Sequence, residues 1–351
     1  MLGNPLISQT DCMNHAWGTA QHACTRCRDA CPADAIEMHG HLPGIDGKRC
    51  TSCTACVAAC PTGAITHEQL HIDTLVARAR THVLHGRQTL RAACSAVSDP
   101  SAELSVPCHA AWTPLLLACL AGEGVHVLEL DGLNQCDACP ARHGSRVMAG
   151  TERDYATLNK ALGGRLVLSR DVTRRVAEQR DKREPEPERR AFFRKLIPSL
   201  AQGAAMTMAQ ISDVMREQDQ TGDEETPTPG LPEVLQRFAR LLPRLQPNFT
   251  PVPRLASIPL GAIQADERCT ACSQCAEHCP TNALELRAFG SNHILEFRPD
   301  ACIGCDHCAD ICPEHAITPL PSLSLPAIAA RRSRPLVMVS ADKGSKQSAV
   351  S

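Results

Sequence analysis

The stretch CTSCTACVAACPTGAI, residues 50–65, decides the architecture of this chain. It spaces Cys50, Cys53 and Cys56 by two residues each, leaves three residues before Cys60, and closes in Cys60-Pro61 with Ala64-Ile65 beyond. The same figure recurs three times. Cys269, Cys272, Cys275 and Cys279-Pro280 run on to Ala283-Leu284, and Cys302, Cys305, Cys308 and Cys312-Pro313 to Ala316-Ile317. An incomplete copy, Cys24, Cys27 and Cys31-Pro32 followed by Ala35-Ile36, precedes the quoted stretch. Most of the 21 cysteines are thus spent on one repeated pattern. The two-residue gaps wrap a short loop so that three soft thiolates converge. The three-residue gap throws the fourth away, onto the start of a helix whose first turn accommodates the proline. The small Ala and the apolar residue after it should lead into a strand.

This spacing is the bacterial-type ligand run for [4Fe-4S] cubanes, in which the fourth cysteine serves the neighbouring cluster. Cys-x2-Cys pairs also build four-cysteine zinc sites, but zinc ribbons do not repeat a run closing in Cys-Pro. Disulfides are disfavoured, because MLGNPLISQTDCMNH lacks a charged segment followed by an apolar one, and a cytoplasmic setting is expected.

Residues from about 10 to 66 and from about 255 to 320 resemble dicluster ferredoxin domains. The resemblance implies a pseudo-twofold βαβ-type module at each end and a division of ligands across runs. One cluster would take Cys31, Cys50, Cys53 and Cys56. In the C-terminal module one would take Cys269, Cys272, Cys275 and Cys312, the other Cys279, Cys302, Cys305 and Cys308. The remaining cluster has Cys24, Cys27 and Cys60 but Gln21 where a cysteine belongs. Cys12 is the expected replacement; His15, His22 or a three-iron cluster with an empty corner are the alternatives.

Between the modules the pattern alternates. Helical spacing in HIDTLVARARTHVLHG precedes strand-like QTLRAACS and LSVPC, the apolar helix TPLLLACLAGEG, the strand VHVLELDG, a long helix through Leu162 and the strand RLVLSRD. Strand–helix alternation predicts a parallel sheet, with Cys94, Cys108, Cys136 and Cys139 at the C-terminal strand ends, where open α/β sheets keep their sites. Cys119, inside the apolar helix, reads as core, and His109, His126 and His143 as core or surface. This region resembles the iron–sulfur (delta) subunit of methyl-viologen-reducing hydrogenases. The likeness implies a [2Fe-2S] cluster on those four cysteines, although one cysteine of the family's first pair is missing and Gly132-Leu133 replaces a Gly-Cys. Zinc, or no metal at all, are the other readings.

The expected fold is α+β: two ferredoxin-like dicluster modules, residues 1–67 and 255–320, flanking a central α/β parallel-sheet domain, 68–180. A charged, proline-rich linker with two helices, AFFRKLIPSLAQ and EVLQRFARLLPRL, fills 181–254, and 321–351 reads as a flexible tail. A net charge of −2 and 3% aromatics argue against nucleic-acid binding, and no stretch reaches the length of a membrane span. No nucleotide loop or acid–base pair stands out. The expectation is therefore an electron-transfer protein rather than an enzyme. It would carry four cubanes and a further [2Fe-2S] cluster between a donor and an acceptor redox enzyme of formate dehydrogenase or hydrogenase type. The alternative is an accessory protein in the maturation of a metalloenzyme such as formate dehydrogenase.

Overall fold

The computed structural model describes residues 3–17, 24–97, 99–139, 141, 143–170 and 231–340. These belong to one compact unit made of residues 1–172 and 228–351.

The central domain is a four-stranded parallel sheet. Its strands are β5 (Thr89–Cys94), β6 (Leu104–Val106), β7 (Val127–Asp131) and β8 (Val167–Ser169), in the order β6-β5-β7-β8. The register sets Leu90 beside Leu128 and Ala92 beside both Leu130 and Leu104, so one apolar row crosses the sheet. Against it lie α4 (Ile72–Leu84), α5 (Pro114–Gly122) and α6 (Gly144–Ala161). Helix α5, PLLLACLAG, is apolar all round and buried from Pro114 to Ala121, as such a helix must be. Thr113 caps it by accepting from the Leu116 N–H (3.0 Å), and Pro114 follows in the first turn, where its missing donor costs nothing.

Helix α7 (Glu233–Leu245) has the bounds the sequence suggested but is not part of a linker. Leu235, Phe238, Leu242 and Leu245 recur at helical spacing and are buried against α5, each worth about 1.5–3 kcal/mol. The first expected linker helix lies outside the described residues.

The two ends share a plan. In the N-terminal module β1 (Leu6–Ile7) pairs antiparallel with β4 (Ile65–Thr66), and β2 (Ile36–His39) forms a hairpin with β3 (Leu42–Ile45). In the C-terminal module β10 (Ile263–Ala265) pairs with β13 (Ile317–Pro319), and β11 (Leu284–Phe289) with β12 (Asn292–Phe297). Ala35, Ala64, Ala283 and Ala316 are all buried at the strand entries.

Two expectations are corrected. The last cysteine of each run does not begin a helix. Single helical turns, α2 (Arg26–Asp29), α3 (Ala55–Ala59), α8 (Gln274–Glu277) and α9 (His307–Asp310), hold the next-to-last cysteine and end just before the last. Proline then stops the helix rather than starting one. Nor do residues 321–340 form a flexible tail. β14 (Ser322–Leu323) pairs with β9 (Val252–Pro253), α10 (Leu325–Ala329) follows, and β15 (Arg334–Ser340) pairs with β12 as a third strand. Arg334 is held over the Phe297 ring at 5.5 Å and donates to the Ile263 carbonyl (3.2 Å).

Candidate iron–sulfur centres

The cysteine runs adopt a backbone that few side chains choose. Within the two-residue gaps, Ser52, Thr54, Ala271, Ser273 and Asp306 take φ between 54° and 64°, and Gly304 takes 62°. Such residues cost about 1–3 kcal/mol each, so the surroundings must over-determine them. Past the gaps, Asp34, Asn282 and His315 take φ of 48°, 51° and 48°, and the residue after each turns its N–H toward sulfur. Ala35, Ala283 and Ala316 donate to Cys31, Cys279 and Cys312 Sγ at 3.2, 3.2 and 3.3 Å.

The fold regroups the runs. Cys312 leaves its own run and lines one cavity with Cys269, Cys272 and Cys275, closed by Leu286, Leu295 and Ile317 (site 3). Cys279 joins Cys302, Cys305 and Cys308 in another, beside Phe297 (site 4). In the N-terminal module α2 packs on α3, and Cys27 and Cys56 share an apolar cluster with Cys31 and Cys60. Burial, then the negative charges of Cys24 and Cys60, pushes the Cys27 thiol up to about 12. Burial, then Cys53, Cys31 and Cys50, does the same to Cys56. Cys60 thus faces the Cys24 loop (site 1) and Cys31 the Cys50 run (site 2).

Cys12 lies in the turn before α1 (Met13–Trp17), within electrostatic reach of Cys24, Cys27 and Cys60. Burial raises its thiol, the Asn14 backbone N–H draws it down, and Cys60 raises it again. Asn14, only 1% exposed, seats that turn. Its Nδ2 donates to the Cys24 and His41 carbonyls (2.9 and 2.7 Å), and its Oδ1 accepts from the Cys24 N–H (2.6 Å). The sequence reading missed Asn14; a buried amide two residues from an unpaired cysteine was its only trace. His15 is exposed, and His22 lies outside the described residues.

The four central cysteines also meet, at the C-terminal edge of the sheet, around a cavity of about 430 Å³ (site 5). Cys94 ends β5, Cys108 follows β6, and Cys136 and Cys139 occupy the loop between β7 and α6. Gly144, the first residue of α6, is needed there. A Cβ would stand 3.1 Å from Cys108 Sγ and 3.2 Å from Cys136 Sγ. Burial raises Cys136, and hydrogen bonds from the Ser145 backbone and side chain at the helix N-terminus oppose it. His109 is not a free ligand. Trp112 Nε1–H donates to its Nδ1 (3.1 Å) and its Nε2–H donates to the Asp131 carbonyl (2.6 Å). Burial lowers its pKa, keeping the ring neutral. His143 lines the cavity, His126 is exposed, and Cys119 is buried in α5.

Among the described residues no three His, Cys, Asp or Glu side chains converge closely enough to hold one metal ion. A family model of the 4Fe-4S dicluster domain matches residues 22–71 and again 268–316. The chain carries two iron–sulfur dicluster domains. These domains fit an iron–sulfur electron-transfer role. Neither the curated proteins nor the solved structures provide a match to the chain. Among the described residues no helix is long and apolar enough to cross a membrane.

Proposed function

We propose that the protein relays electrons between a donor and an acceptor redox enzyme through four [4Fe-4S] clusters and a fifth, [2Fe-2S] cluster. Sites 1 to 4 would hold the cubanes, with Cys12 completing site 1, and Cys94, Cys108, Cys136 and Cys139 would hold the fifth. The observation that carries this reading is the exchange of the last cysteine between runs, which gathers four soft donors at sites 2, 3 and 4 and three at site 1, with backbone N–H groups donating to Cys31, Cys279 and Cys312. Bound there, the clusters supply reversible one-electron chemistry. The protein's part is to bury them, hydrogen-bond their sulfurs and set their spacing.

Anaerobically isolated protein should contain about 18 irons, or about 16 if site 5 is empty, with matching acid-labile sulfide and a brown colour bleached by dithionite. Stoichiometric zinc with little iron would overturn the reading. Cys12→Ser should convert one cubane to a three-iron signal or remove it, leaving the others intact. A full iron count with an unchanged spectrum would instead point to His15, His22 or solvent.

A further inference from the structure

The dicluster pattern pairs sites within a module and says nothing of what joins one module to the other. Four contacts within the described unit supply the connection. Inside the C-terminal module α8 packs on α9, setting site 3 beside site 4, and inside the N-terminal module α2 packs on α3, setting site 1 beside site 2. Next, α3 packs on the turn His109–Ala111, and Cys53 of site 2 shares an apolar cluster with Ala110 and Cys108 of site 5. The remaining contact links the modules themselves. Arg26, the first residue of α2 and set between Cys24 and Cys27 of site 1, reaches across and donates to the carbonyl of Gly304, between Cys302 and Cys305 of site 4 (3.3 Å).

That junction is built closely. Gly304 has φ 62°, and a Cβ on it would stand 2.7 Å from the Leu260 carbonyl oxygen. Gly261 is pressed to the same loop, where a Cβ would meet the Gly304 Cα at 2.6 Å and Cys302 Sγ at 2.7 Å. Arg254 donates to the same Gly304 carbonyl (3.0 Å) and to Asp306 (2.9 Å). Arg26 Nη1 is buried with no hydrogen-bond partner among the described residues. A buried guanidinium N–H without an acceptor is costly, and an anionic sulfur-rich group on either side would supply one.

We propose that Arg26 is the positioning residue that joins the two modules, so that the sites follow one another in the single file 3–4–1–2–5. One end of the file is site 3, which holds exposed Cys272; the other is the site 5 cavity. Arg26 has a second effect. A cluster gains negative charge on reduction, so a fixed cation at the junction stabilises the reduced form and raises the potentials of the clusters at sites 1 and 4.

This inference rests on the cluster reading above, and its test separates the two. Full-length wild-type protein, Arg26→Gln and Arg26→Lys are compared by iron and sulfide analysis and by EPR-monitored redox titration. Arg26→Gln should keep its iron, lower the midpoint potentials of two cubanes and leave the other two unchanged. Arg26→Lys should restore most of the shift by returning the charge. Full iron with all potentials unchanged overturns the junction and leaves the cluster reading standing; a wild type without cubane iron overturns both.

The order has its own readout, the power saturation of the site 1 signal in the fully reduced protein. Replacing Cys302 and Cys305 by serine should alter it by removing the adjoining spin, whereas replacing Cys269 and Cys272 should not. The reverse result, or equal effects, overturns the file. Should the serine variants fail to accumulate, the potential shifts of the two Arg26 variants decide.

Discussion

The N-terminal and C-terminal modules use the same ligand run, yet only one repeats it without exception. In the C-terminal module both gaps of both runs turn through φ near 60°, on Ala271, Ser273, Gly304 and Asp306. In the N-terminal module the second run does the same with Ser52 and Thr54, whereas Thr25 in the first run stays at φ −116°. The residue types at the turned positions have little in common, and a β-branched threonine is among the worst choices for them. The conformation is therefore imposed by the need to gather three sulfurs. It relaxes in the run whose leading cysteine is replaced by Gln21. There a polar clamp, Asn14, ties the Cys24 backbone to the turn that carries Cys12, just before α1.

The sharpest break of this comparison is to delete an exchanged cysteine. Cys60→Ala should remove the iron of the Cys24–Cys27 site and spare the Cys50 run, and Cys312→Ala should remove that of the Cys269 run. Each should cost about four irons and destabilise its module, because cluster binding contributes to folding. Loss of each run's own cluster would refute the exchange.

Asn14→Ala comes next and should affect the N-terminal module alone. It strips three hydrogen bonds from a buried turn, a loss of about 3 kcal/mol at about 1 kcal/mol each. Denaturant midpoints should fall by that measure, and only the site 1 EPR signal should change.

A smaller contrast compares two glycines. Gly304→Ala meets backbone at 2.7 Å and φ 62°, so it should cost about 2 kcal/mol or more. Gly63→Ala has φ 70° but ordinary contacts at 3.4 Å to Pro232, so about 1 kcal/mol is expected. Equal losses in chemical denaturation would show that close approach contributes nothing at the module junction.

The smallest effect concerns α7, which leads from the central domain to the C-terminal module. Burial, then the neighbouring Asp73 carboxylate, pushes Glu233 up to about 7 from a usual 4.5. Asp73 is held low by its hydrogen bond with Glu233 and by Arg237. The folded state therefore holds the Glu233 proton more tightly than the unfolded chain. Its contribution is complete below pH 4.5 and fades as the pH rises through about 7. Glu233→Gln should flatten that part of the pH–stability curve; an unaltered curve would discard the assignment.

Much of this was legible in the residues. The cysteine spacing located both modules, the alternation of apolar runs located the parallel sheet, and helical spacing from Glu233 to Leu245 gave α7 its bounds. What escaped was non-local. RPLVMVS at 334–340 begins with arginine and proline and acquires its meaning only on the edge of β12, some forty residues upstream. Helix α7 sits beside charged, proline-rich sequence, and nothing in its own composition says that α5 awaits it. The α2, α3, α8 and α9 turns are too short for periodicity to register. Arg26 resembled any exposed cation beside a cysteine until the fold brought Gly304 to it.

The strand β15 carries a practical consequence for anyone cutting the chain into parts. A piece ending at residue 320, where the fourth ligand run is already complete, would expose the full edge of β12 and leave Phe297 without Arg334 above it. An unpaired strand edge of six residues invites pairing with a second copy. The smallest fragment worth isolating from this end therefore extends to Ser340, and the boundary set by the cysteines is not the boundary set by the backbone.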